Sequence, residues 1–234
     1  MKRKFFASCL AFFTLAFTLN FLWQIYKKPA EVIALLSWSK AKTHQGTWQS
    51  YGQSFQKYST QVITPSFLAA LAQIESAGNP LATPQWKFKF TDRLSKIFSP
   101  QSSSVGLYQF TNATFKRAQK YCIRDQKVRT ANCWMNPVYT RLLPWQSIEL
   151  ASAYLDTEVR RLSRKHKKNL NLKKSHQLAG IIHLCGNRKA EKYIRAGLNV
   201  KKIGKCGSHS PRLYLKKLLT KQKAFAQIHQ KTKI

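Results

Sequence analysis

The first long feature of the chain is an uncharged run from Phe5 to Tyr26, rich in Phe, Leu and Ala and bracketed by Lys2-Arg3-Lys4 and Lys27-Lys28. Its 22 residues have the length that a bilayer core asks of a helix. Trp23 and Tyr26 near its end suit a membrane interface. A cleavable signal has a shorter apolar stretch and a small-x-small site, and Asn20–Tyr26 holds no such site. Residues 1–26 are therefore read as an uncleaved signal anchor, ahead of a cleaved signal or a buried core helix. Residues 27–46 follow as a juxtamembrane linker, partly helical from Ala30 to Ala41, and a folded domain occupies 47–234.

Beyond the linker the apolar spacing is helical almost throughout. Trp48, Tyr51, Phe55 and Tyr58 form one face of a helix. Thr64-Pro65 supplies an N-cap and a first-turn proline, and Gly78 with Pro80 supplies a stop, so a short helix ends close to Glu75-Ser76. Residues 79–104 form a long irregular stretch carrying Trp86, Phe88, Phe90 and Phe98, and connections of this length inside a domain are usually functional. Further helices are expected over 112–121, 146–165, 174–184, 189–196 and 211–228. Apart from short pieces near Trp86–Phe90, no strand stands out. The fold class is mainly α.

Composition sharpens this picture. With 44% hydrophobic residues the chain can bury a core, and its 9 Gly and 8 Pro argue against a many-turned β architecture. Against 41 Lys+Arg there are 8 Asp+Glu, a net charge of +33. Such a surface attracts anionic lipid, an anionic envelope or nucleic acid. No familiar nucleic-acid module is visible, and an exported domain would not meet nucleic acid, so no nucleic-acid partner is expected. Many of the cations in 160–234 alternate with apolar residues on helices, which also fits a plain solvated face.

Four cysteines follow Cys9, which sits too early in the apolar run for a lipoprotein cysteine. Proximity in an exported chain favours the disulfides Cys122–Cys133 and Cys185–Cys206. A rival reading takes His183, Cys185, Cys206 and His209 as four zinc ligands. Because thiols in an oxidising compartment more often pair with each other, no metal and no cofactor are expected.

The scarcity of acids narrows the chemistry. Leu68, Leu71 and Ala72 form an apolar stripe whose next position is Glu75. A carboxyl on the buried side of a helix is pushed towards its protonated form, the state a general acid needs. The plainer alternative is that Glu75 pairs with a lysine or arginine, or emerges into solvent at the helix end. Asp92 in the long loop and Glu149 on a helix are the other carboxylates considered for a two-acid mechanism.

The sequence Gln73-Ile-Glu75-Ser76-Ala-Gly-Asn79-Pro80, then Ser103-Ser-Val-Gly106-Leu-Tyr108-Gln109, and then Ile148-Glu-Leu-Ala-Ser-Ala-Tyr154-Leu155 resembles the lytic transglycosylase family with its soluble-lytic-transglycosylase-type, goose-lysozyme-like domain. The resemblance spans residues 48–200 or so. It implies a lysozyme-like helical fold that cleaves the MurNAc-GlcNAc linkage of peptidoglycan. Glu75 would act as acid and then as base on the muramyl C6 hydroxyl, leaving a 1,6-anhydro end, with the substrate N-acetyl group stabilising the intermediate. Gly106, Tyr108 and Gln109 would line the sugar subsite, where Tyr108 stands in place of the family's usual Met and would stack on a sugar or fill space. Ser76 would bind substrate or cap its helix. The family's Ala-Tyr-Asn-Ala-Gly motif falls on Ile182-His183-Leu184-Cys185-Gly186, so His183 stands where the family has a tyrosine that orients the glutamate. The expected partners are peptidoglycan strands, the inner membrane through residues 5–26 and anionic envelope surfaces or an envelope-spanning machine, with the domain on the periplasmic side or secreted after cleavage. A goose-type muramidase, a catalytically inactive peptidoglycan-binding scaffold and a polyanion-binding protein are the competing readings.

Overall fold

The computed structural model describes residues 2–37, 40–89, 91 and 93–232. Asp92 and Phe90 lie outside the described residues. The elements run α1 (Lys2–Lys27), α2 (Pro29–Leu36), α3 (His44–Lys57), α4 (Pro65–Ser76), β1 (Trp86–Phe88), β2 (Phe98–Pro100), α5 (Asn112–Ala118), β3 (Cys122–Arg124), β4 (Lys127–Arg129), α6 (Pro144–Lys165), α7 (Leu172–Arg195) and α8 (Pro211–Lys231). The chain is mainly α-helical.

The centre of the domain is α4. The Thr64 hydroxyl accepts the Phe67 amide, and Pro65 occupies the first turn. Every residue from Ser66 to Gln73 is buried, so α4 is enclosed on all sides and Leu68, Leu71 and Ala72 are part of a full apolar collar. It packs chiefly against α8 and α3, while α6 pairs with α7. Phe55, Ile63, Phe67, Leu68, Leu71, Ile148, Leu155 and Phe225 are fully enclosed in one core; each such side chain contributes roughly 1.5–3 kcal/mol. The left-handed residue that ends α4 is Ala77 (φ 50°), with Gly78 (φ 71°) continuing the turn. A Cβ on Gly78 would lie 2.1 Å from the Thr47 hydroxyl oxygen, so α3 closes over this corner only because the residue is glycine.

Helix α7 holds a break at Gly186 (φ 74°, ψ 171°), between the two segments expected over 174–184 and 189–196. The strands form two antiparallel hairpins, β1–β2 with Phe88 opposite Phe98, and β3–β4 with Ile123 opposite Val128. The second was not anticipated. Its turn places Asp125 (φ 52°) and Gln126 (φ 57°) both in the left-handed region, the geometry of a tight hairpin turn without its usual Asn-Gly signature.

The stretch Phe5–Lys27 is long and apolar enough to cross a membrane. One side of α1, at Ala16, Asn20 and Gln24, is buried against the domain. Gln24 Nε2 donates to the Ser95 carbonyl at 2.8 Å, and the Phe17 ring lies 6.2 Å from Phe88 and 6.0 Å from Phe98. Within 27–46, the stretch expected as a linker, α2 buries Glu31, Val32 and Ala34. Glu31 Oε2 is 3.3 Å from Arg141 Nη2, and both side chains are buried. The same guanidinium donates to the carbonyls of Ser103 and Phe110.

Both disulfides favoured by proximity are present, Cys122–Cys133 and Cys185–Cys206. Joining Cys185 to Cys206 removes both sulfurs from the zinc alternative. Cys9 is a free cysteine.

Candidate active site

Glu75 emerges from the last turn of α4 into an open cleft of about 720 Å³. Gln109, His183, His209, Leu213, Tyr214 and Lys217 line it as well. Among the described residues of its wall, Glu75 is the only carboxylate. Its side chain keeps 17% of its surface open, enough for a ligand to reach.

Two side chains from distant parts of the chain hold one oxygen of this carboxylate. The Tyr214 hydroxyl donates to Glu75 Oε1 at 2.5 Å, and His183 Nε2 lies 3.3 Å from the same atom. Oε2 has no protein hydrogen bond among the described residues and is left for a ligand. The Cys185–Cys206 bridge ties the stretch just after His183 to the loop that leads through His209 into α8. It thereby fixes the two elements that deliver both clamps. Ser210 caps α8 through the Leu213 amide, which sets Tyr214 in the first turn.

The electrostatics differ from the sequence expectation. Burial pushes the Glu75 carboxyl upward and is the largest single influence. The positive charge and hydrogen bond of His183, the Tyr214 hydroxyl and the charge of His209 together outweigh it, and the carboxyl is held below its ordinary value of 4.5. The expected rise assumed an apolar stripe with no partners; two partners supplied by α7 and α8 reverse its sign. Tyr214 moves the other way, because burial and the adjacent Glu75 anion hold its hydroxyl well above the ordinary value of 10.0. It remains a proton donor in the hydrogen bond to Glu75.

The turn from Val105 to Phe110 brings Gln109 to the cleft, beside Ser104 and Thr111. Gly106 (φ 80°) is obligatory: a Cβ there would lie 2.2 Å from the Arg141 carbonyl oxygen. Gln109 lines the cleft, with its Nε2 donating to the carbonyls of Ala82 and Gly106, each at 3.0 Å. That fixes the amide and leaves its oxygen as an acceptor. Ser76 donates to the carbonyls of Leu107 (2.8 Å) and Ala72 (3.0 Å). Its hydroxyl pins the end of α4 to this turn, the capping role of the two considered. Tyr108 does not reach the cleft. It is buried, its hydroxyl donates to the Leu68 carbonyl at 3.2 Å, and it fills the core; stacking on a sugar is corrected to packing against α4.

Glu149 is withdrawn from acid–base chemistry. It is buried and accepts from the Ile123 amide (2.9 Å), the Tyr139 hydroxyl (3.0 Å) and Arg124 Nη1 (3.3 Å). These bonds anchor β3 to α6. Burial, and after it the charge and hydrogen bond of Glu149, push the Tyr139 hydroxyl well above its ordinary value of 10.0.

The Transglycosylase SLT domain family matches residues 53–172, more than half of the chain. The chain belongs to this family. The match contains Glu75, the Gly106–Gln109 turn and the Ile148–Leu155 stretch, and the SLT domain carries a lysozyme-like fold, lytic transglycosylase activity in general and peptidoglycan as the substrate. Comparison with curated proteins and with solved structures gives no match. The SLT match ends before His183 and Tyr214, so both clamps on the glutamate lie outside it. Sequence reasoning missed Tyr214 altogether and considered His209 only as a zinc ligand. A tyrosine at an apolar position in the first turn of a helix, just past a disulfide loop, was the one available signal.

Proposed function

We propose that this SLT protein cleaves the MurNAc-GlcNAc β-1,4 bond with Glu75 as its sole acid and base, and that the muramyl C6 hydroxyl, not water, closes the reaction to a 1,6-anhydro end. The observation that carries this reading is that Glu75 is the one carboxylate among the described residues lining a cleft of about 720 Å³. A hydrolase working through two carboxylates needs its second one about 5–10 Å from the first.

In this mechanism Glu75 and His183, 3.3 Å apart, hold one proton between them. A bound strand expels water and strengthens the interaction of that proton with the glycosidic oxygen. The proton passes through Glu75 to the leaving oxygen as the C1–O bond breaks, and the substrate N-acetyl group stabilises the cation-like centre. Glu75, now a carboxylate steadied by Tyr214, takes the proton from the C6 hydroxyl as the new C1–O6 bond forms. The proton inventory returns to its start and no water is consumed. The Gln109 amide oxygen hydrogen-bonds the sugars, while the Gly106 backbone, which bonds Ala82 and Gln109, shapes the turn that presents it, and helix α1 seats the protein in the inner membrane with the domain on the periplasmic side.

Mass spectrometry of sacculi digested by wild type and by Glu75→Gln tests the reading. Wild type releases anhydro-muramyl products and the variant loses at least about a hundredfold in rate, the scale of general acid–base assistance. Reducing ends from wild type would indicate hydrolysis, and unchanged release by the variant would remove Glu75 from the chemistry.

A further inference from the structure

Helix α8 carries Arg212, Lys216, Lys217, Lys221, Lys223 and Lys231 and not one acidic residue. Among the described residues no ion pair reaches any of these cations, because the salt-bridging carboxylates pair with Arg124, Arg141, Arg160, Arg161, Lys165, His166 and His183. Three of the lysines are gathered at one place. A groove of about 460 Å³ runs beside α8, lined by Leu213, Ala224 and His44 with Lys216, Lys217 and Lys221. Thr220 and His44 are its neutral polar groups, and every charged group on its wall is cationic. Leu213 and Lys217 also line the cleft that holds Glu75, so groove and cleft adjoin across α8.

His44 settles the sign of the charge. Burial and the neighbouring Lys221 push its imidazole down, and Lys221 Nζ lies 3.1 Å from His44 Nε2. The ring is thus a neutral acceptor that steadies Lys221. The ligand chemistry that fits is a short chain with small apolar side groups and several carboxylates. Contact with α8 lysine stems would cover the apolar part, and the ammonium groups would meet the acids. Along its sugars a peptide-bearing glycan strand has acetyl and lactyl methyls but no carboxylate, because each lactyl carboxyl is held in an amide. The peptide that branches from each muramyl lactyl group has both, alanine methyls and free carboxylates.

We propose that the α8 groove is a subsite for the carboxylate-bearing stem peptide of peptidoglycan, which makes peptide-substituted strands the preferred substrate over stripped ones. The assignment rests on the peptidoglycan reading of the cleft. It takes the specificity from α8, outside the matched SLT stretch.

The experiment has two arms on the full-length protein in detergent. In the first, a soluble stem tetrapeptide and its fully amidated counterpart are titrated against wild type and against the Lys216→Gln/Lys221→Gln double variant, both residues lying outside the Glu75 cleft. The acidic peptide binds wild type more tightly than the amidated one, and the double variant weakens it by about threefold to tenfold, the range of two solvent-accessible charge pairs. In the second arm, KM is compared on peptide-bearing strands and on strands stripped by an amidase. Wild type shows the lower KM on peptide-bearing strands, and the difference shrinks in the variant. Equal binding of the two peptides, or a double variant that binds the acidic one like wild type, overturns the subsite. If neither strand is cleaved, the transglycosylase reading falls while the titration still decides what the groove binds.

Discussion

At the residue scale the deciding contact is the one between Tyr214 and Glu75. A hydroxyl that donates to a carboxylate stabilises the anion, so Tyr214→Phe moves the Glu75 carboxyl upward. The acid limb of the pH–rate profile on sacculi shifts to higher pH with it. Loss of a hydrogen bond to a charged group costs about 1.5–3 kcal/mol, which chemical denaturation of the variant reads directly. The stability of the wild type follows the same carboxyl. Its folded value is below the unfolded 4.5, so its contribution is complete above that pH and disappears as the pH falls through the folded value. Melting curves of wild type and Glu75→Gln between pH 3 and 7 should therefore converge at the acid end and separate near neutrality, with the variant the less stable. An apolar site without partners would have made that variant neutral. Glu75 itself was legible, since a carboxyl where a marked helix ends and its motif neighbours both point to it. The direction of its titration was not, because the Tyr214 hydroxyl arrives from 139 positions away and no local spacing records it.

At the scale of elements, the sequence was most readable where chain punctuation acts locally. Thr64-Pro65 started α4, and Gly186 broke α7 between the two expected segments. The β3–β4 hairpin escaped because its turn residues, Asp125 and Gln126, adopt left-handed geometry without glycine, held by the Ile123–Glu149 bond and the Cys122–Cys133 bridge. The Cys185–Cys206 bridge carries a prediction of its own. It closes a loop with a sequence separation of 21, and opening it releases about 3 kcal/mol of loop entropy to the unfolded chain. The Cys185→Ser/Cys206→Ser protein should melt several degrees lower. It should also lose activity at temperatures where it is still folded, since α7 and α8 then bring His183 and Tyr214 to Glu75 without a staple. Calorimetry and sacculus digestion on the same sample separate the two effects.

The whole molecule adds what neither level contains. Gln24 sits on a largely apolar helix, where lipid tails could not meet its amide, and the domain receives its Nε2 at the Ser95 carbonyl instead. Glu31, in a stretch that reads as a connection, is buried against Arg141. Burial pulls the Arg141 guanidinium down, and Glu31 opposes that pull. Glu31→Gln leaves the arginine enclosed without its counter-charge and should lower the unfolding free energy by roughly 3–5 kcal/mol, measured by denaturant titration of the full chain. Nothing in the spacing of 27–46 marks this partner, because Arg141 belongs to a loop 110 residues later.

That pair bears on where the enzyme can work. The guanidinium gripping Glu31 also grips the backbone at Ser103 and Phe110, on either side of the Gly106–Gln109 turn. The stretch from α1 through α2 is therefore fastened to the turn that brings Gln109 to the cleft of Glu75, with no slack cord between them. On the reading that seats α1 in a bilayer, the same fastening limits how far the cleft of Glu75 can stand from the membrane.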